Sequence, residues 1–209
     1  MADAPRRVVL ATRNAGKIAE LSRILAGVGS KGGGGVQIVG LESFPHAPDV
    51  PETGSTFADN ALLKARAIAA YTGLPAVSDD SGLTVDALHG MPGVLSARWA
   101  GKHGDDQANL DLLLGQLADV AERGAAFVCV AALVVPLADT TQREWTTTGV
   151  LAGLLTQAPR GANGFGYDPI FVPYGLHRTT AELEPDAKDA ISHRGRAFRA
   201  IAPLIAANA

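Results

Sequence analysis

Arg7-Val-Val-Leu-Ala-Thr-Arg-Asn-Ala-Gly-Lys-Ile-Ala-Glu-Leu-Ser-Arg-Ile-Leu25 joins a short β-type apolar run, a polar turn and a helical pattern with nothing between them. Val8, Val9 and Leu10 form the run, which ends in polar residues at Thr12. Ile18, Leu21, Ile24 and Leu25 recur at the spacing of one helix face. The reading is strand, tight turn, helix. A strand that feeds directly into a helix belongs to a mixed α and β architecture.

Outward from there, Lys31-Gly-Gly-Gly-Gly35 reads as a flexible surface loop. No Lys-Ser/Thr follows it and no helix opens there, so it is not a phosphate cradle. Val36 to Val39 reads as a second strand, and Phe44 to Pro51 as a proline-punctuated loop. Ser55 or Thr56 caps a long helix with Ala61, Leu62, Ala65, Ile68 and Ala69 on one face, stopped by Gly73 and Pro75. Ala76 to Ser78 is a short strand running into Asp79-Asp80-Ser81-Gly82, and Leu83 to Leu88 resumes the alternation. His89 to Asp105 is a Gly-rich loop, and Asp105 or Asp106 caps a helix reaching Leu117. Phe127 to Val135 and Glu144 to Leu154 read as neighbouring strands, Gly161 to Asp168 as a loop and Pro169 to Val172 as strand-like. Ala181 to Ile191 and Arg196 to Ala207 close the chain as helices. No internal repeat is present. The order predicts an α/β or α+β domain with a mixed sheet.

The chain has 209 residues, 47% hydrophobic and 19% charged, which suits one globular domain over 1–209, in two lobes, with a sizeable core. Its net charge of −3 gives no basic footprint for nucleic acid. The polar start and the short run after it do not make a secretion signal. The longest apolar stretch, Gly124 to Ala138, contains Pro136 and is too short to span a bilayer, so it reads as a buried strand. The single cysteine, Cys129, excludes an internal disulfide and a cysteine-rich zinc site, and a reducing cytoplasm is the natural setting.

Five segments carry chemistry. Thr12-Arg13-Asn14-Ala15-Gly16-Lys17 lies between strand and helix, where backbone N–H groups attract phosphate, Gly16 permits close approach and Lys17 adds a point charge. Glu52-Thr-Gly54 precedes a helix on which Asn60 and Lys64 share a face. Asp79-Asp80-Ser81-Gly82 follows a strand. Adjacent carboxylates there repel unless a cation stands nearby, and their hard oxygens suit Mg²⁺. Gly164-Phe165-Gly166-Tyr167-Asp168-Pro169 sets two aromatic rings among glycines, a platform for a nucleobase. Lys188 and Ser192-His193-Arg194-Gly195 put cations just before the last helix. A cation there opposes the macrodipole, so an anionic or electron-rich partner is expected. His46, His89, His103 and His177 show no metal-ligand spacing, and no G-x-S-x-G elbow or Walker A loop occurs.

The strings T-R-N-A-G-K, E-T-G-S-T-F-A-D-N-A-L-L-K-A, S-D-D-S-G-L, G-F-G-Y-D-P-I-F and S-H-R-G-R-A, in this order from Val8 to about Ile205, resemble the inosine/xanthosine triphosphate pyrophosphatase family, the Ham1/RdgB-like group. Arg13, where a small residue is common, and the Gly32 to Gly35 run are departures from its pattern. The resemblance implies an α/β fold with an elongated mixed β-sheet flanked by helices, and two lobes around a central nucleotide cleft. It implies a homodimeric hydrolase, dependent on Mg²⁺, that converts noncanonical purine nucleoside triphosphates (ITP, dITP and XTP) to monophosphate and pyrophosphate. That activity would clear deaminated nucleotides from the precursor pool.

Carried over by residue, Thr12, Arg13, Asn14, Ala15, Gly16 and Lys17 would hold phosphates. Glu52 and Asp80 would hold the metal, with Asp80 the proton acceptor, and Lys17 would serve catalysis. Ser81 would contact substrate. Phe165, Gly166, Tyr167, Asp168, Lys188, His193 and Arg194 would form the nucleoside pocket. Two alternatives stand beside this reading. A Maf-like pyrophosphatase for pyrimidine or modified nucleotides is opposed by the S-H-R-G string. A non-catalytic nucleotide sensor is opposed by the carboxylates Asp79, Asp80 and Glu52.

Overall fold

The computed structural model describes residues 5–14, 17, 18, 21, 24, 36–138 and 141–208. Ala15, Gly16, Leu25 and the Gly-rich stretch at 31–35 lie outside the described residues. Six strands are described: β1 (Arg6–Leu10), β2 (Val36–Gly40), β3 (Ala76–Val85), β4 (Gly124–Pro136), β5 (Gln142–Leu155) and β6 (Phe171–Pro173). They form one mixed sheet in the order β2-β1-β3-β4-β5-β6. β1 pairs in parallel with both β2 and β3, whereas β5 and β6 are antiparallel. The fold is α/β. Lys17, Ile18, Leu21 and Ile24 are helical, as the opening pattern predicts. The longer helices are α1 (Phe57–Thr72), α2 (Asp106–Gln116), α3 (Pro185–Ile191) and α4 (His193–Asn208). No helix among the described residues is long and apolar enough to cross a membrane.

The caps follow local chemistry. The Asn14 side chain accepts the Lys17 N–H at 3.0 Å, which closes the first turn of the opening helix. Thr56 caps α1 in a capping box with Asp59, and Gly73 ends it in the left-handed region that glycine enters without strain. Asp105, rather than Asp106, caps α2 through the Ala108 N–H.

The chain divides into two compact units. One holds Met1–Asp80, Val130–Gly149 and Arg194–Ala209; the other holds Ser81–Cys129 and Val150–His193. In the first, Val9, Ala11 and Ala76 pack with Ala61, Ala65, Ile68 and Ala69 of α1 and with Val130, Ala132 and Val134 of β4. In the second, Leu83 and Val85 pack with Leu110, Leu113 and Leu117 and with Phe127, Tyr167, Ile170 and Phe171. Burying each large side chain of this kind stabilises the fold by about 1.5–3 kcal/mol.

The segments read as the Leu83 to Leu88 alternation, the His89 to Asp105 loop and the Pro169 to Val172 strand carry 3-10 turns at Asp86–Leu88, Gly93–Arg98 and Asp168–Ile170, and three further differences bear on the site. Asp79 to Gly82 is not a turn after a short strand, because β3 runs through it to Val85 without a break. The closing pattern from Ala181 is a 3-10 turn (Thr180–Glu182) and then α3, since Pro185 starts a helix but cannot continue one. Helix α4 begins at His193, so His193 and Arg194 form its first turn rather than preceding it.

Candidate active site

The continuity of β3 decides the geometry of the two aspartates. Successive side chains of a strand point to opposite faces. Asp79 and Asp80 therefore meet different partners, both in the first unit. Asp79 is buried, and its Oδ2 lies 2.9 Å from Lys17 Nζ and 3.4 Å from Arg194 Nε. Burial by itself would raise the Asp79 pKa. The cations of Lys17, Arg194 and Lys64 outweigh it and hold the carboxyl well below the ordinary range, so it stays ionised. This is the anionic partner that cations in the first turn of α4 require.

Asp80, also buried, accepts a hydrogen bond from Asn60 Nδ2 at 2.9 Å through its Oδ2, and its Oδ1 lies 4.0 Å from Lys64 Nζ. Lys64 Nζ also donates to Glu52 Oε1 at 2.5 Å. Asn60 and Lys64, one helical turn apart on α1, thus gather Asp80 and the Glu52 loop on one side. Burial pushes the Asp80 pKa up; Lys64 opposes that and the neighbouring charge of Glu52 adds to it. Asn60 and Lys64, to which the sequence reading gave no role, prove central here; the sequence showed only their spacing on one helix face and their place in the E-T-G-S-T-F-A-D-N-A-L-L-K-A string. Asn60 also accepts the Gly54 N–H at 2.7 Å, so it ties the Glu52 loop to Asp80. Asn60→Ala removes both bonds from a fully buried site and is expected to cost about 1–3 kcal/mol of stability. Chemical denaturation checks this.

The donor set fits a hard divalent ion. Glu52 and Asp80 offer only carboxylate oxygens, drawn to one ammonium, and among the described residues no group of three or more His, Cys, Asp or Glu side chains could hold a metal. Mg²⁺ accepts such a site because it takes one or two carboxylates and completes its shell with water and phosphate.

Thr12 and Arg13 also belong to the first unit. Thr12 Oγ1 accepts the Asn14 N–H at 3.2 Å. Arg13 turns to the Pro-rich loop, donating to the Ala47 carbonyl at 2.7 Å and pairing with Asp49 at 3.0 Å.

The aromatic loop lies in the second unit. Gly164 has φ 77°, and a Cβ there would come within 2.1 Å of Asp168 Oδ2, so only glycine fits. Asp168 Oδ2 accepts the Phe165 N–H at 2.8 Å and the Lys188 ammonium at 2.5 Å, and its Oδ1 accepts Thr180 Oγ1–H at 2.8 Å. Lys188 Nζ stands 5.4 Å over the Phe165 ring, a cation–π arrangement. Tyr167 is a core residue rather than an open platform: it is 4% exposed and its hydroxyl donates to the Ser96 carbonyl at 3.0 Å. Phe165, half-buried, is the ring of the pair that reaches the surface. His193 is buried and stacks on Phe127 at 4.8 Å between centroids. Ser81, half-buried, continues β3 from Asp80. Thr180 carried no signal in the sequence, because a threonine before an acidic turn is common and its partner lies 12 positions away.

The profile of the Ham1 family matches residues 8–204. A dITP/XTP pyrophosphatase of Streptomyces coelicolor is 60% identical over 201 residues, covering 95% of this chain and 96% of its own. The crystal structure of a nucleoside-triphosphatase / dITP/XTP pyrophosphatase from Mycobacterium abscessus is 53% identical with a TM-score of 0.75, covering 95% of this chain and 99% of that one. A HAM1 protein from Coxiella burnetii is 42% identical with a TM-score of 0.84, covering 97% and 99%. With five motifs in register, a mixed α/β sheet and coverage of nearly the whole length, the chain belongs to the Ham1 family and is a hydrolase acting on acid anhydrides.

Proposed function

We propose that this chain hydrolyses the noncanonical purine nucleoside triphosphates ITP, dITP and XTP to monophosphate and pyrophosphate with Mg²⁺, as a cytoplasmic homodimer. The observation that carries the reading is Asp80: a buried carboxyl hydrogen-bonded by Asn60 and brought beside Glu52 by Lys64. The relatives named dITP/XTP pyrophosphatase, 52–60% identical, support the substrate class.

In this mechanism Asp80 accepts the proton of the water that attacks the α-phosphorus. Glu52 and Asp80 would hold the divalent ion, which when bound would supply a Lewis acid and offset the repulsion between carboxylate and phosphate. Lys17 and the helix N-terminus capped by Asn14 stabilise charge on the phosphoryl oxygens. Asp79 holds the Lys17 ammonium in place. Phe165 stacks on the base, and Lys188, steadied by Asp168, donates to the carbonyl at purine position 6. Adenine carries a donor at that position, and two facing donors cost about 1–3 kcal/mol. Arg194 enters through Asp79 in this structure.

Pyrophosphate release from ITP, dTTP and ATP, with and without Mg²⁺, tests the reading. The expected result is strict dependence on the divalent ion, ITP far ahead of ATP and dTTP, and pyrophosphate as the product. Orthophosphate as the first product would rule out attack at the α-phosphorus. A preference for dTTP would favour the Maf-like alternative.

A further inference from the structure

Asp106 belongs to none of the five motifs, yet it reaches the aromatic loop. Its Oδ2 accepts the Gly166 N–H at 2.8 Å, across 60 positions of sequence. We propose that Asp106 is a positioning residue for base selection: it holds the peptide after Phe165 and so fixes the direction in which the Phe165 ring projects. This inference rests on the assignment of that ring to the nucleobase.

The loop shows why an external anchor is needed. Gly166 has φ 60°, and a Cβ built there would meet nothing within 4 Å. Glycine has no side chain through which packing could fix its backbone. The peptide before Phe165 is held by Asp168, which accepts the Phe165 N–H. The peptide after it is held by Asp106. Together the two carboxylates set φ and ψ of Phe165, and hence its Cα–Cβ direction. Lys188 Nζ stands over this ring, so a swing of the ring also moves the stacking surface away from the donor.

Asp106 is itself well supported. It opens α2, whose cap is Asp105 and whose Leu110 and Leu113 are buried in the core of the second unit. Capping is already done by Asp105, so the Asp106 carboxylate is available to the loop.

The test measures kcat and KM for ITP and ATP in the full chain and in Asp106→Ala and Asp106→Asn. Calorimetric binding of IMP serves as a readout that needs no turnover. Asp106→Ala is expected to raise KM for ITP and weaken IMP binding about tenfold, part of the stacking contribution, with kcat little changed. Asp106→Asn keeps an oxygen that accepts the Gly166 N–H, and it should restore both values. Unchanged KM and IMP affinity in Asp106→Ala overturn the inference. So does a loss confined to kcat and melting temperature, or a failure of Asn to rescue. A wild-type chain that neither binds IMP nor turns over ITP overturns the functional reading and this inference with it.

Discussion

Asp80→Asn is expected to fold like the wild type and to lose about 10²–10⁴-fold in kcat. The amide keeps the shape of the carboxylate, and Asn60 and Lys64 still surround it. It cannot accept a proton, and it weakens the divalent site shared with Glu52. Asn60 and Lys64 fix where the carboxyl points, so the substitution removes its charge and basicity without moving its neighbours. Steady-state pyrophosphate release, with the melting curve as the control for folding, decides the matter. Near-full turnover in a folded variant would remove Asp80 as the base and leave Glu52 as the next candidate.

Asp79 predicts a different failure. Its Oδ2 stands between Lys17 Nζ and Arg194 Nε, and the Arg194 side chain is only 3% exposed. Asp79→Ala leaves the guanidinium and the ammonium together without the carboxylate. Removing one partner of a buried ion pair costs about 3–5 kcal/mol, because the remaining charge is desolvated and uncompensated. The expected result is a marked drop in unfolding free energy together with lost turnover, since Lys17 is no longer held. Asp79→Asn, which keeps size and hydrogen bonding, is expected to recover part of the stability and little of the activity. Equilibrium unfolding in denaturant is the check. An Asp79→Ala variant within about 1 kcal/mol of wild type would show that the pair contributes no more than an exposed one.

These two predictions differ because neighbours in sequence are not neighbours in the site. Read as a string, Asp79-Asp80 is a repelling pair that calls for a cation nearby, with nothing to tell the two members apart. In the continuous strand β3 the side chains alternate, so Asp79 takes two fixed cations while Asp80 faces Asn60, Lys64 and Glu52. The aromatic loop gives the same lesson. Phe165 and Tyr167 look equivalent between glycines, yet Tyr167 packs into the core of the second unit and only Phe165 reaches the surface.

By itself the sequence determined what depends on a few consecutive residues. The helical pattern after β1, a cap at Ser55 or Thr56, a cap at Asp105 or Asp106 and the Gly73 stop follow from hydrogen bonds that close within three or four positions; the structure chose Thr56 and Asp105. The five motifs, in order, also determined the family, because each quotes its chemistry in adjacent letters. The tertiary structure decided what depends on distant partners. It alone joined Lys17 and Arg194 through Asp79, Glu52 to Asp80 through Lys64, and Gly166 to Asp106. The physical reason is that a buried charge or peptide N–H must find a partner wherever the fold brings one, and that partner leaves no periodic mark in the chain.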